Sequence, residues 1–288
     1  MQTEAFTLAL PRRRTSGAVF ASPHSGCRYG ADFLRRCLPG PLAMRSSEDA
    51  FVDALFADAP EHGAPLIAAV MPRAYVDLNR GADELDPALI RGLGKRAGNP
   101  RVAAGLGVIP RVVAGGRMIY GGKISLAEAE TRIDRYWRPY HARLAALLDE
   151  ARRDFGQAIL FDCHSMPHEA IETLVPTGKP RPEIVIGDRF GTSASGEIVS
   201  RVEDMFRAAG LRVARNAPFA GAYSCKAYGR PARGFHAVQI EIDRALYMNE
   251  ETLERRDDFD AFRRLVGGIV AELAALGRQS GEHDMAAE

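Results

Sequence analysis

The sequence has no run approaching the roughly 18 to 20 uninterrupted apolar residues that a membrane-spanning helix requires, so a soluble protein is expected. It also lacks an excess of either charge: 38 Lys plus Arg stand against 37 Asp plus Glu, too even a balance to draw nucleic acid or an anionic membrane. Small polar molecules remain as partners. The four cysteines, Cys27, Cys37, Cys163 and Cys225, include no Cys-x-x-Cys pair, which argues against a thiolate zinc site or a thioredoxin-like motif and fits a reducing compartment. Residues 1–14 lack the order of a secretory signal, because the Arg cluster follows the apolar piece Phe6 to Leu10 and no small-residue cleavage site appears. The expected location is cytoplasmic. Neither an internal repeat nor a low-complexity tract is present, and 288 residues suit one domain over 1–288.

What is present is an alternation of strand and helix signals. Gly17 to Ser22 is a short apolar run that breaks at Pro23 and delivers His24 just beyond a strand end. Leu66 to Met71 and Tyr75 to Leu78 read as strands, the second ending at Asn79 and Arg80. Ala158 to Cys163 is the clearest buried strand, with His164 at its end; Glu183 to Gly187, Leu211 to Arg215 and His236 to Ile242 follow. Helices are predicted from Ser46 or Ser47 to about Ala59, from Ser125 to Phe155, from about Ser195 to Ala209 and from Asn249 to about Leu276. Pro139 removes a hydrogen bond from the second at about 3 kcal/mol, which predicts a kink or break near Arg138. Residues 81–122 are rich in Gly, Pro and Arg, and a loop-rich excursion of that length is a candidate cover for an active site. The alternation implies an α/β fold, with a mostly parallel central sheet between helices.

Ligands of open α/β sheets bind outside the carboxyl ends of the strands. His24, Asn79, Arg80, His164 and Glu241 all fall at or just after a predicted strand end, so five polar groups converge on one edge. Two histidines and a carboxylate make a donor set for a catalytic zinc with one position left for water. Each residue also has a plainer reading. His24 and His164 are equally what a backbone-bonded histidine at a strand end looks like. Glu48 and Asp49 suit a first helical turn by complementing its dipole. Gln239, Glu241 and Asp243 share one face of a strand whose other face carries Val238, Ile240 and Ile242. That pattern fits either a solvated sheet face or a buried general base at Glu241. Asn79-Arg80 is a turn or a carboxylate-binding fork, and Arg230 and Arg233 are further candidates for an acidic ligand, with a solvated loop as the alternative. Cys163 adjoins His164 but points to the opposite face of a strand. Of the remaining histidines, His62, His141, His168, His236 and His283, only His168 competes as a ligand.

Four segments taken together resemble the N-formylglutamate amidohydrolase family: Ser22-Pro-His-Ser-Gly26, Tyr75-Val-Asp-Leu-Asn-Arg80, Asp162-Cys-His-Ser165 and Gly229-Arg-Pro-Ala-Arg-Gly-Phe-His-Ala-Val-Gln-Ile-Glu-Ile242. The family is related to the zinc carboxypeptidases and aspartoacylases. The resemblance implies a mixed α/β sheet of zinc-exopeptidase type and hydrolysis of a small N-acyl amino acid such as N-formylglutamate. It also implies Zn2+, or another divalent metal, held by His24, His164 and a carboxylate taken as Asp49. Glu241 would be the general base, and Asn79 with Arg80 would hold the substrate carboxylate. Two departures stand out: Ala50 replaces the aromatic residue that often follows the family's aspartate, and the 81–122 excursion does not look like the family pattern. A zinc exopeptidase or another acyl-amino-acid hydrolase would use the same metal site. A metal-free binding protein for an acidic small molecule is the alternative of another class.

Overall fold

The structure is a computed structural model that describes residues 4–94, 99–172 and 181–278, so His283 lies outside the described residues. Seven strands form one sheet: β1 (Phe6–Ala9), β2 (Ala18–Ser22), β3 (Leu66–Ala69), β4 (Ala158–Met166), β5 (Ile184–Gly187), β6 (Val213–Arg215) and β7 (Phe235–Asp243). Their order is β1-β3-β2-β4-β7-β5-β6. Four neighbouring pairs are parallel, while β1 with β3 and β7 with β5 are antiparallel, giving the expected mixed, mostly parallel α/β sheet. Among the described residues no helix is long and apolar enough to cross a membrane.

The period-2 alternation of strands assigns each face of the sheet its own core. Phe20, Ile159, Phe161, Cys163, Val238, Ile240 and Ile242 pack on one face against helices α3 (Gly196–Ala208) and α4 (Phe259–Leu276). Val19, Ala21, Leu160 and Ala237 point to the other face, against α1 (Leu126–Arg132) and α2 (Arg138–Phe155). On that second face the central strands are apolar at their amino ends and polar at their carboxyl ends, where Asp162, His164, Gln239 and Glu241 emerge. The polar stripe of β7 is therefore no solvated surface: Gln239, Glu241 and Asp243 are 3%, 8% and 4% exposed.

Local signals explain most element ends. The Ser125 hydroxyl accepts from the Glu128 amide and caps α1, and Gly156, at φ 75°, closes α2. Between those helices Ile133–Trp137 forms a π-helical turn, which interrupts the α-helical run next to Arg138, where Pro139 predicts a kink or a break. Three predicted elements are corrected. Tyr75 to Leu78 is not a strand, because β1 already occupies the outer edge of β3. Its amides turn instead to other acceptors, Tyr75 and Val76 to the Pro72 carbonyl and Asp77 to that of Val108. The helix after Ser46 is confined to Val52–Leu55, preceded by Phe51 at φ 65°, which frees Asp49 from a helix face. Asn249 caps no helix. Its side chain accepts from the amides of Glu251 and Thr252 in a turn linking two short paired strands, and α4 starts only at Phe259.

Candidate active site

Three strand-linked residues meet at the carboxyl end of the sheet. His24 follows β2, His164 stands near the end of β4, and Asp49 comes from the turn whose amide donates to the His24 carbonyl. Nδ1 of His24 and Nδ1 of His164 lie 3.3 and 2.9 Å from the same oxygen, Oδ2 of Asp49. These buried donors have the geometry of a group that could hold a metal ion. Each far nitrogen is taken by a carboxylate: Nε2 of His24 is 2.7 Å from Asp77 Oδ1, and Nε2 of His164 is 3.1 Å from Asp162 Oδ2. A carboxylate on the far nitrogen fixes ring orientation and leaves the near nitrogen as an electron-pair donor, the usual support of a metal-binding histidine. His24 Nδ1 is buried without a hydrogen-bond partner. An orphaned buried nitrogen is costly unless something else binds it, so the donor set fits a divalent metal.

The surrounding groups hold this set in place. Arg244, 4% exposed, donates from Nη2 to Asp49 Oδ1 at 3.0 Å and from Nε to the Ser165 hydroxyl at 3.2 Å. Burial alone would raise the Asp49 carboxyl, but the neighbouring His164 and His24 outweigh it and hold it well below the usual range. Asp77 is held low in the same way, by His24 and Arg73 against burial. Glu241 faces His164 across the β4–β7 ladder and belongs to the other regime. Burial favours its neutral form, and the carboxyl is pushed up to about 7. The Gln239 amide donates to its Oε1 at 2.8 Å. All of these groups open on one cavity of about 560 Å3, roofed by residues 101–116 of the excursion.

The predicted residues separate into three groups. His24, Asp49, His164 and Glu241 come together, and Asn79 and Arg80 line the same cavity. Asn79 is fully engaged by protein: its amide nitrogen lies 3.0 Å from Asp162 Oδ2 and 2.9 Å from His164 Nε2, and its oxygen accepts from the Ser224 amide and hydroxyl. It donates to the carboxylate that holds the histidine, leaving Arg80 as the cavity-lining member whose Nε has no hydrogen-bond partner. Arg230 and Arg233 are corrected. They precede Phe235, at the amino end of β7, six positions and about 20 Å of strand from Glu241. Arg230 lies over the Phe235 ring, and neither arginine lines the cavity. Glu48 pairs with Arg45, and His168 pairs with Asp243, outside the cluster.

A profile of the N-formylglutamate amidohydrolase family matches residues 16–248. The chain belongs to this family. Among its relatives in the N-formylglutamate amidohydrolase family is an N-formylglutamate deformylase of Pseudomonas aeruginosa, 31% identical over 91% of this chain and 94% of the relative. A second, from Pseudomonas putida, is 30% identical over 83% and 85%. The crystal structure of N-formylglutamate amidohydrolase from Ralstonia eutropha JMP134 superposes with a TM-score of 0.88 at 39% identity, covering 94% of this chain and 98% of that one.

For a member of this family, the residues that sequence reasoning passed over are informative. Asp162 stands two residues before His164 and so on the same strand face, a signal that period-2 spacing carries. Asp77 has no such signal, because it reaches His24 from a turn. Arg73 and Arg244 also line the cavity, each committed to a carboxylate of the site: Arg73 to Asp77 at 2.9 Å, Arg244 to Asp49.

Proposed function

We propose that this protein is a zinc-dependent deformylase that hydrolyses N-formyl-L-glutamate to formate and L-glutamate. The observation that carries the reading is the convergence of His24 Nδ1, His164 Nδ1 and Asp49 Oδ2, with both far nitrogens tied to carboxylates, beside a buried Glu241. Bound by those three atoms, zinc would polarise the formyl carbonyl and make water acidic enough to attack at neutral pH. Glu241 takes the proton of the attacking water. Gln239 occupies Oε1, so Oε2 receives it, and the same oxygen hands it to the departing nitrogen as the C–N bond breaks. A carboxyl poised near 7 serves both transfers at neutral pH. Arg80 binds the α-carboxylate, and its planar fork makes lysine a poor substitute. The four free cysteines suit a reducing cytoplasm.

The test is release of formate from N-formyl-L-glutamate, set beside acetyl and succinyl amino acids and short peptides. Dialysis against a chelator should remove about one zinc per chain together with the activity, and zinc should restore it. A protein purified without any divalent metal, and unaffected by chelation, would instead be a binding protein for an acidic small molecule.

A further inference from the structure

The cavity wall beyond the metal donors carries two guanidiniums that the proposed chemistry leaves only half used. Arg80 is 8% exposed and its Nε is buried without a hydrogen-bond partner, an arrangement that calls for an anion in the cavity it lines. Arg101 lines the same cavity from the excursion, in the first turn of the one-turn helix Pro100–Ala103. Nothing in their sequence separation brings these arginines together. Glu84 does. Its Oε1 accepts from the amide of Gly81, the residue after Arg80, at 2.8 Å, and its Oε2 accepts from the side chain of Asn99 at 3.0 Å. Asn99 in turn caps the turn bearing Arg101, accepting from the Arg101 amide at 3.0 Å. Arg111 fixes the far end of that turn through the Ala103 carbonyl at 3.1 Å and is itself anchored on Asp86 at 2.8 Å.

The carboxylates on this wall are therefore spent on building it. Glu84 serves Gly81 and Asn99, Asp86 serves Arg111, and Asp77 serves His24 and Arg73. Among the described residues, neither Arg80 nor Arg101 has a carboxylate within ion-pairing distance. Burial depresses the basicity of Arg80; Asp77 opposes that, and the like charges of Arg73 and then Arg101 add to it.

We propose that Arg101 is a specificity-determining residue that binds the side-chain carboxylate of the substrate while Arg80 binds the α-carboxylate. The inference rests on the deformylase reading and deepens it. In an N-formyl amino acid the α-carboxylate is two bonds from the scissile nitrogen, which matches Arg80, buried beside the Asn79 that touches His164. The side-chain carboxylate of glutamate lies farther out, matching Arg101 at the exposed rim. The cavity then selects a dicarboxylate over its neutral amide.

Arg101→Gln should raise the KM for N-formyl-L-glutamate about tenfold to a hundredfold, the range of one charged hydrogen-bonded contact. The KM for N-formyl-L-glutamine, and kcat for both, should stay near wild type, and Arg101→Lys should restore part of the preference. Calorimetric binding of L-glutamate and L-glutamine to the same proteins needs no turnover and should show the same contrast. An equal loss on acid and amide, or an unchanged preference for the acid, overturns the proposal. If the wild-type protein hydrolyses no N-formyl amino acid, the deformylase reading fails separately, and the calorimetric contrast still decides the role of Arg101.

Discussion

The site is built by two regions that obtain their precision differently. One is the set of central strands, of which β4 and β7 carry His164 and Glu241 on a hydrogen-bonded ladder and β2 delivers His24 two residues past its end. The other is the irregular run from Pro72 to Gly116, which brings Asp77, Asn79, Arg80 and Arg101 to the same cavity without any strand of the main sheet. On the ladder, side-chain direction follows from position alone, since period and register are set by the backbone. Off it, every residue needs its own tether. Asn79 is held by Asp162 and Ser224, the Leu78 carbonyl by His141 at 2.8 Å, and the Arg80 carbonyl by the Trp137 indole at 2.8 Å. The chemistry thus sits on rigid strands and the recognition on tethered loops, so damage to the two regions should read out differently.

The comparison breaks first at the metal donors. His24→Ala or His164→Ala should abolish both metal retention and hydrolysis, because each removes one of three ligands and strands its carboxylate partner in the interior. Metal content after dialysis against a mild chelator, measured with formate release, checks this; full retention in both variants would place the metal elsewhere. Glu241→Gln comes next. Glutamine keeps the shape and removes the basicity, so turnover should fall about 100-fold to 10,000-fold while metal content and melting temperature stay near wild type. Loss of metal along with activity would make Glu241 a ligand instead of a base.

A sharper cut across the two regions sets Asp162→Asn against Asp77→Asn. Both carboxylates do the same work on a histidine Nε2, but Asp162 is delivered by β4 and Asp77 by the turn. Each substitution should weaken metal affinity about 10-fold to 100-fold. Asp77→Asn should in addition raise the KM for N-formyl-L-glutamate, because Asp77 also accepts the Asn79 amide at 2.8 Å and pairs with Arg73 on the cavity wall. Metal titrations with initial-rate kinetics separate the two. Equal KM effects would mean that the turn is no softer than the strand.

What could be read from the sequence divides along the same line. The runs ending at Ser22, Cys163 and Ile242 were legible as strands because a buried strand is a local pattern, and a histidine or glutamate at its end inherits a known direction. The turn was misread for a physical reason. Tyr75-Val-Asp-Leu78 has the aromatic and β-branched composition of a strand, but whether it pairs depends on a free edge, and β1, some 65 residues earlier, holds that edge. Arg230 and Arg233 precede β7 in the chain and so fall at its amino end, a position that the carboxyl-end rule already sets against them. Arg101 left no trace, since its position depends on Glu84 and Asn99 bridging the loop.

The smallest effect on turnover is expected at a tether, where it appears as stability instead. His141 is 6% exposed on α2, with Nε2 on the Leu78 carbonyl and Nδ1 2.8 Å from the Tyr228 hydroxyl. Burial lowers its pKa to about 4, against 6.5 in an unfolded chain. Between those values the unfolded state binds a proton that the folded state refuses, so stability is whole above pH 6.5 and falls as the pH drops towards 4. By pH 5 the loss from this one group is about 2 kcal/mol. His141→Gln can still donate to Leu78 and cannot titrate, so denaturant unfolding of wild type and variant from pH 7 to 4.5 isolates the contribution as a difference in slope. The variant should lose less stability on acidification while its kcat at pH 7 stays close to wild type. Parallel pH profiles would show that burial does not hold back protonation of His141, because the added proton goes to Nδ1 against the Tyr228 hydroxyl and leaves the Nε2 bond to the Leu78 carbonyl intact.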